Sequence, residues 1–206
     1  MNTSNLFSYG VKQAALEGQD DSGDHYIIKQ SLNDSVLIGI VDGIGHGRDA
    51  SIAAEKAIAI LNQWRDESLI ELMKECHKEL KKTRGAVITL ACIQKNYEVT
   101  CLGVGNVAVV HWKNSLTNHS QIKELFVQGG IVGLELPKLR LSKFIAEPGD
   151  DLIIATDGIS NRFLDLRPMR YAIPQTIADH IFREFRNPND DALVFVLRWE
   201  MREDYV

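Results

Sequence analysis

Four short acidic segments carry the residues that could do chemistry: Ser22-Gly23-Asp24, Asp42-Gly43-Ile44-Gly45-His46-Gly47, Thr156-Asp157-Gly158 and Asn189-Asp190-Asp191. Each sets a carboxylate at the edge of an apolar run or an expected strand: Asp24 precedes residues 25–29, Asp42 ends residues 36–41, Asp157 follows residues 152–155, and Asp190-Asp191 precede residues 192–197. A carboxylate at a strand end is rigidly held, and a following glycine lets a ligand approach the backbone closely. Taken singly, an Asp-Gly pair is an ordinary turn. Taken together, several hard oxygen donors without accompanying Cys or His spacing suit magnesium or manganese rather than zinc or copper.

Glycine-rich passages from strand to helix also bind phosphates, so the other readings of residues 42–51 need testing. The dinucleotide pattern GxGxxG would require glycine where Arg48 stands, and a Walker loop would require a GK[ST] that is missing. An ATP box of the DxGxG form would require glycine at Ile44. Cys76, Cys92 and Cys101 show no CxxC spacing, form an odd set and lack the arginine loop of a cysteine-nucleophile phosphatase. They read as small core residues.

The elements that must position the aspartates follow from periodicity. Runs at 36–41, 86–93, 152–155 and 192–197 are apolar on consecutive positions, so these strands are expected to be covered on both faces. Residues 86–93 and 98–104 read as a hairpin, and residues 107–112 with 122–127 extend it into an antiparallel meander. Ile52, Ala53, Ala57, Ile60, Leu61 and Trp64 recur at helical spacing, as do Leu69, Leu72, Met73, Cys76 and Leu80 behind an Asp66 or Ser68 cap. A last helix starts near Pro174, with Ile177, Ile181 and Phe185 on one face. The fold class expected is α+β: two mostly antiparallel sheets packed face to face with helices outside, in a single domain over residues 1–206.

A net charge of -5 and a pI near 5.7, with Lys and Arg scattered, argue against a nucleic-acid partner. Residues 1–10 show no basic segment leading into an apolar one, and no apolar stretch is long enough to span a bilayer. The expectation is no membrane and a cytoplasmic location.

The acidic segments, in order and together with Gly103-Val104-Gly105-Asn106, resemble the metal-dependent PPM (type 2C) protein phosphatases, in the bacterial branch that includes SpoIIE. The short length, Lys82-Thr83-Arg84-Gly85-Ala86 and the Gly-Val-Gly-Asn stretch look most like the RsbX-type stressosome phosphatases within it. The resemblance implies a four-layer α-β-β-α sandwich and two Mn2+ or Mg2+ ions. Asp42 would bridge them, with Asp24, Asp157, Asp190 and the Gly43 carbonyl as further ligands and Asp191 behind. It implies hydrolysis of phosphoserine or phosphothreonine on stressosome scaffold proteins in a general-stress sigma-factor pathway, or alternatively on an anti-sigma-factor antagonist.

Two departures matter. Leu193 stands where the family has threonine after its Asp-Asp pair, and the phosphate-binding arginine of eukaryotic relatives has no counterpart near the N-terminus. Both favour the competing reading of a catalytically weak docking module. His46 is read as shaping its glycine turn, Arg48 and Arg84 as solvated charges, and residues 128–133 as a mobile loop near the site.

Overall fold

The computed structural model describes residues 6–114, 121–167, 169 and 171–200, so part of the N-terminal segment read above lies outside the described residues. Ten strands form two five-stranded sheets among the described residues. One sheet contains Asp24–Gln30 (β2), Val36–Gly43 (β3), Ala86–Ile93 (β4), Glu98–Val104 (β5) and Ser142–Ile145 (β8), in the order β2-β3-β4-β5-β8. The other contains Phe7–Ala14 (β1), Ala108–Lys113 (β6), Gln121–Glu124 (β7), Asp151–Ala155 (β9) and Ala192–Trp199 (β10), in the order β1-β10-β9-β6-β7. All strand neighbours within the sheets are antiparallel.

Strand alternation divides the apolar residues into three cores. Ile38 and Ile40 of β3 meet Leu152, Ile154, Leu193 and Phe195 between the sheets. Their neighbours Leu37 and Val41 pack under helices Arg48–Leu61 (α1) and Leu69–Leu80 (α2). On the far side, Ile153, Ala155, Val194 and Val196 pack under Pro174–Phe185 (α3) and the 3-10 turn Asn161–Asp165. This double coverage explains the consecutive apolar runs, because each strand face has its own dry partner. The result is the four-layer α-β-β-α sandwich.

Local signals set the helix limits. Ser68 accepts from Glu71 N at 3.3 Å as the cap of α2, and Pro174 opens α3 where a missing N–H costs nothing. Two expectations need correction. Ile52 is 47% exposed, because α1 turns its alanines Ala53, Ala54 and Ala57 to the sheet and leaves Ile52 outside. The meander is not continuous, because the chain crosses from one sheet to the other between β5 and β6. No helix among the described residues is long and apolar enough to cross a membrane.

Candidate active site

The site forms where antiparallel pairing brings strand ends to one edge of the sandwich. Asp24 begins β2 and Asp42 is the penultimate residue of β3, and the two are direct cross-strand partners. Opposed residues project to the same face, and here that face is the one carrying Ile38 and Ile40 toward the second sheet. On that sheet, the end of β9 lies beside the start of β10, with Ala155 paired to Val194. Asp157 and Asp190 therefore arrive at the same edge from the opposite wall.

Asp42, Asp157 and Asp190 line one recess of about 500 Å³, with Ile44, His46, Asn106 and Gly130 among its other walls and, among the described residues, no Lys or Arg in its lining. Asp24 lies beneath, buried, and its Oδ2 accepts the Thr156 hydroxyl at 2.7 Å. That bond joins the two sheets. Thr156 Oγ1 in turn accepts from Leu193 N at 2.9 Å. A threonine hydroxyl thus supports the site from β9's end, although Leu193 itself is apolar and fully buried.

Neighbouring groups orient the remaining carboxylates. Asn106 donates from Nδ2 to Asp157 Oδ2 at 2.7 Å. Asp191 is buried and accepts from Leu16 N and Gly23 N, each at 2.7 Å, which ties the chain before Asp24 to the start of β10. Asp190 stays at the recess, its Oδ1 accepting from Asp191 N at 2.9 Å. The adjacent pair is thereby divided: one aspartate fastens backbone and the other faces the open space.

The glycines after Asp42 and Asp157 are required by close approach. A Cβ on Gly43 would sit 2.0 Å from the Ala50 carbonyl oxygen of α1, and one on Gly158 would sit 1.9 Å from the Asp191 carbonyl oxygen. Real side chains do not tolerate such distances, so both Asp-Gly pairs are packing solutions rather than free turns.

Electrostatically, the site is short of positive charge. Burial pushes the Asp24 carboxyl up to about 8, partly opposed by the Thr156 hydroxyl and reinforced by Asp191, Asp157 and Asp190. Burial, then the Asp24 charge, pushes Asp42 up to about 9. Asp190 is raised as well, by burial and then by Asp157. Asp24 Oδ1 is buried with no hydrogen-bond partner among the described residues. Crowded carboxylates, an orphaned oxygen and hard-donor chemistry fit divalent cations of the magnesium type. The carboxylates face the shared space from different walls: among the described residues, no three His, Cys, Asp or Glu side chains already converge as a ligand set.

The other residues singled out in the sequence take varied places. His46 is exposed at the recess, with Nδ1 2.9 Å from Gln19 Nε2; the amide can only donate, so Nδ1 accepts. Arg48 is exposed at the start of α1, and Arg84 pairs with Asp49 at 2.8 Å. Residues 129–131 border the recess. That loop is anchored, since Gly105 N donates to Gln128 O at 2.8 Å and Ala86 and Val132 exchange two bonds of 2.9 Å. Thr156 and Asn106 are supporting residues whose roles sequence reasoning did not assign, although each stood inside a motif; Asp191, which the family resemblance set behind the ligands, fastens backbone.

The fold has known counterparts. A chain from a structural study of the bacterial stressosome, as a modular system adapted to control secondary messenger signaling, superposes with a TM-score of 0.81 at 29% identity, covering 93% of this chain and 99% of that one. RsbX in complex with magnesium gives a TM-score of 0.79 at 19% identity over 97% and 98% of the two chains. The PP2C phosphatase domain of SpoIIE from Bacillus subtilis gives 0.75 at 22% identity, over 95% of this chain and 64% of that one. No curated protein sequence matches the chain. The family model for stage II sporulation protein E (SpoIIE) matches residues 33–200, most of the sequence, and the chain belongs to this family of PP2C-type phosphatase domains.

Proposed function

We propose that the chain is a metal-dependent phosphoserine/phosphothreonine protein phosphatase whose Asp24, Asp42, Asp157 and Asp190, with the Gly43 carbonyl, hold two Mn2+ or Mg2+ ions. The observation that carries this reading is the meeting of strand-end carboxylates from both sheets at one recess, over a buried Asp24 oxygen that lacks a partner. Such cations, when bound, acidify water and neutralise phosphoryl charge. The protein's part is to aim the ligands. Thr156 fixes Asp24, Asn106 fixes Asp157, and Asp191 locks the chain before Asp24 against β10. Asp42, cross-strand from Asp24 and within the recess, would hold the ions together with these ligands, as the residue the family resemblance has them share.

The substrate we propose is a phosphorylated stressosome scaffold protein, in the cytoplasm. Support comes from the 29% identity with a chain from a stressosome study across nearly the full length of both chains. A second reading, which the family resemblance leaves open, is a phosphorylated anti-sigma-factor antagonist.

Incubating the protein with each phosphoprotein in Mn2+ or Mg2+ tests the proposal. The expected result is phosphate release from the scaffold, abolished by chelation and by Asp42→Asn. Release that survives both treatments overturns the catalytic reading; release only from the antagonist overturns the substrate. A docking module without catalysis would remain folded yet show no metal binding by calorimetry.

A further inference from the structure

Arg84 stands where two walls of the recess meet. The loop carrying Ile44, Gly45 and His46 is tied to it by Ile44 N donating to Gly85 O at 3.1 Å. The loop carrying Gly129 to Ile131 is tied to it through the paired bonds of Ala86 and Val132. Behind it, Thr83 donates to Leu80 O at the end of α2 and accepts from Gly85 N, at 2.7 and 3.0 Å. The backbone around Arg84 is thus fastened on three sides.

Its side chain is not. The Arg84 side chain is about half exposed, and its ion pair is with Asp49 in the first turn of α1, itself 61% exposed. Exposed pairs of this kind are weak and exchange readily. Gly45 lines the recess and places no side chain in between: a Cβ there would lie 3.1 Å from Arg84 Nη1. The guanidinium therefore rests against the rim of a recess whose lining holds three aspartates and no cation. A phosphoryl group whose inner oxygens would face cations held on that floor presents its outer oxygens to the rim. A planar fork of N–H donors suits them better than any other side chain.

We propose that Arg84 is a substrate-binding residue, held on Asp49 at rest and transferred to the phosphoryl oxygens when a phosphoserine or phosphothreonine enters. The assignment rests on the phosphatase reading above. Asp49 is then a competitor for the guanidinium, and the two residues have opposite effects.

The test titrates inorganic phosphate into the Mg2+-loaded protein by calorimetry and measures kcat and KM on a phosphoserine peptide. Arg84→Ala is expected to weaken phosphate about tenfold, in line with loss of a charged hydrogen bond, and to raise KM more than it lowers kcat. Arg84→Lys should recover part of the affinity, keeping charge but losing the fork. Asp49→Asn should tighten phosphate by about two- to fivefold, the worth of an exposed pair. In an Arg84→Ala background that gain should vanish, which separates release of the guanidinium from mere loss of a negative charge. An Arg84→Ala protein within twofold of the parent, or an Asp49→Asn gain of equal size in both backgrounds, overturns the assignment. A parent protein that binds phosphate through Arg84 yet hydrolyses nothing overturns the phosphatase reading instead.

Discussion

Replacing Asp42 by asparagine should remove activity and stabilise the metal-free fold at once. Asp42 sits across from buried Asp24 and shares its recess with Asp157 and Asp190. Burial and the Asp24 charge raise its carboxyl from the ordinary 3.8 to about 9. Between those values the native state binds more protons than the unfolded chain, so stability in chelator falls as pH rises, by at most about 1.4 kcal/mol per pH unit for each extra proton. The loss begins above the unfolded aspartate value and is complete once pH passes the folded one.

An amide does not titrate, and removing one charge also lets the remaining carboxylates ionise more easily. Because the cluster shares the repulsion, a gain of about 1 to 3 kcal/mol at pH 7.5 is expected. For a chain of this size that raises Tm by roughly 2 to 10 °C. Thermal denaturation in EDTA at pH 5, 7.5 and 9 should show the variant's advantage growing with pH. In Mg2+ at a thousandfold excess over Kd the order should reverse, since the parent then gains about 4.1 kcal/mol. A variant that melts below the parent in chelator by the same margin at every pH would refute the reasoning, because Asp42 would then be a structural hydrogen-bonding group rather than a crowded ligand.

Other outcomes follow from the same geometry. Thr156→Val removes the donor to Asp24 and the acceptor for Leu193 N; metal affinity by calorimetry should fall about 10- to 100-fold, with a fold cost of about 1 to 3 kcal/mol by denaturant unfolding. Gly158→Ala would force a methyl to 1.9 Å from the Asp191 carbonyl oxygen; a destabilisation of about 3 kcal/mol or more, with lost metal binding, is expected by the same two measurements. Asp151→Asn breaks the buried pair in which Arg198 donates from Nε and Nη2 at 2.7 Å each. It should cost about 3 to 5 kcal/mol in chemical denaturation while leaving metal affinity unchanged, since Asp151 starts β9 and Asp157 lies beyond its other end.

Much of the fold was legible because its central strands are sealed on both faces. β3, β4, β9 and β10 are almost wholly buried and show as unbroken apolar runs. β1, FSYGVKQA, has a mixed surface and is defined by its register against β10, so no local pattern announced it. β8 alternates only between half-buried and exposed over four residues and was equally silent. Nor could periodicity assign β6 to a sheet: its alternation is the same whichever sheet it joins, and the crossing near Gly105 and Asn106 decided the matter.

By itself the sequence determined that carboxylates end or precede apolar strands, that glycine follows two of them, and that no competing nucleotide or thiol chemistry has its spacing. Only the tertiary structure decided which carboxylates meet and what holds each one. Thr156 reaches Asp24 across 132 positions, Asn106 reaches Asp157 across 51, and Asp191 reaches Gly23 across 168. Contacts so distant in the chain leave no periodicity to read, because they exist only once antiparallel pairing has brought the ends of two sheets to one edge.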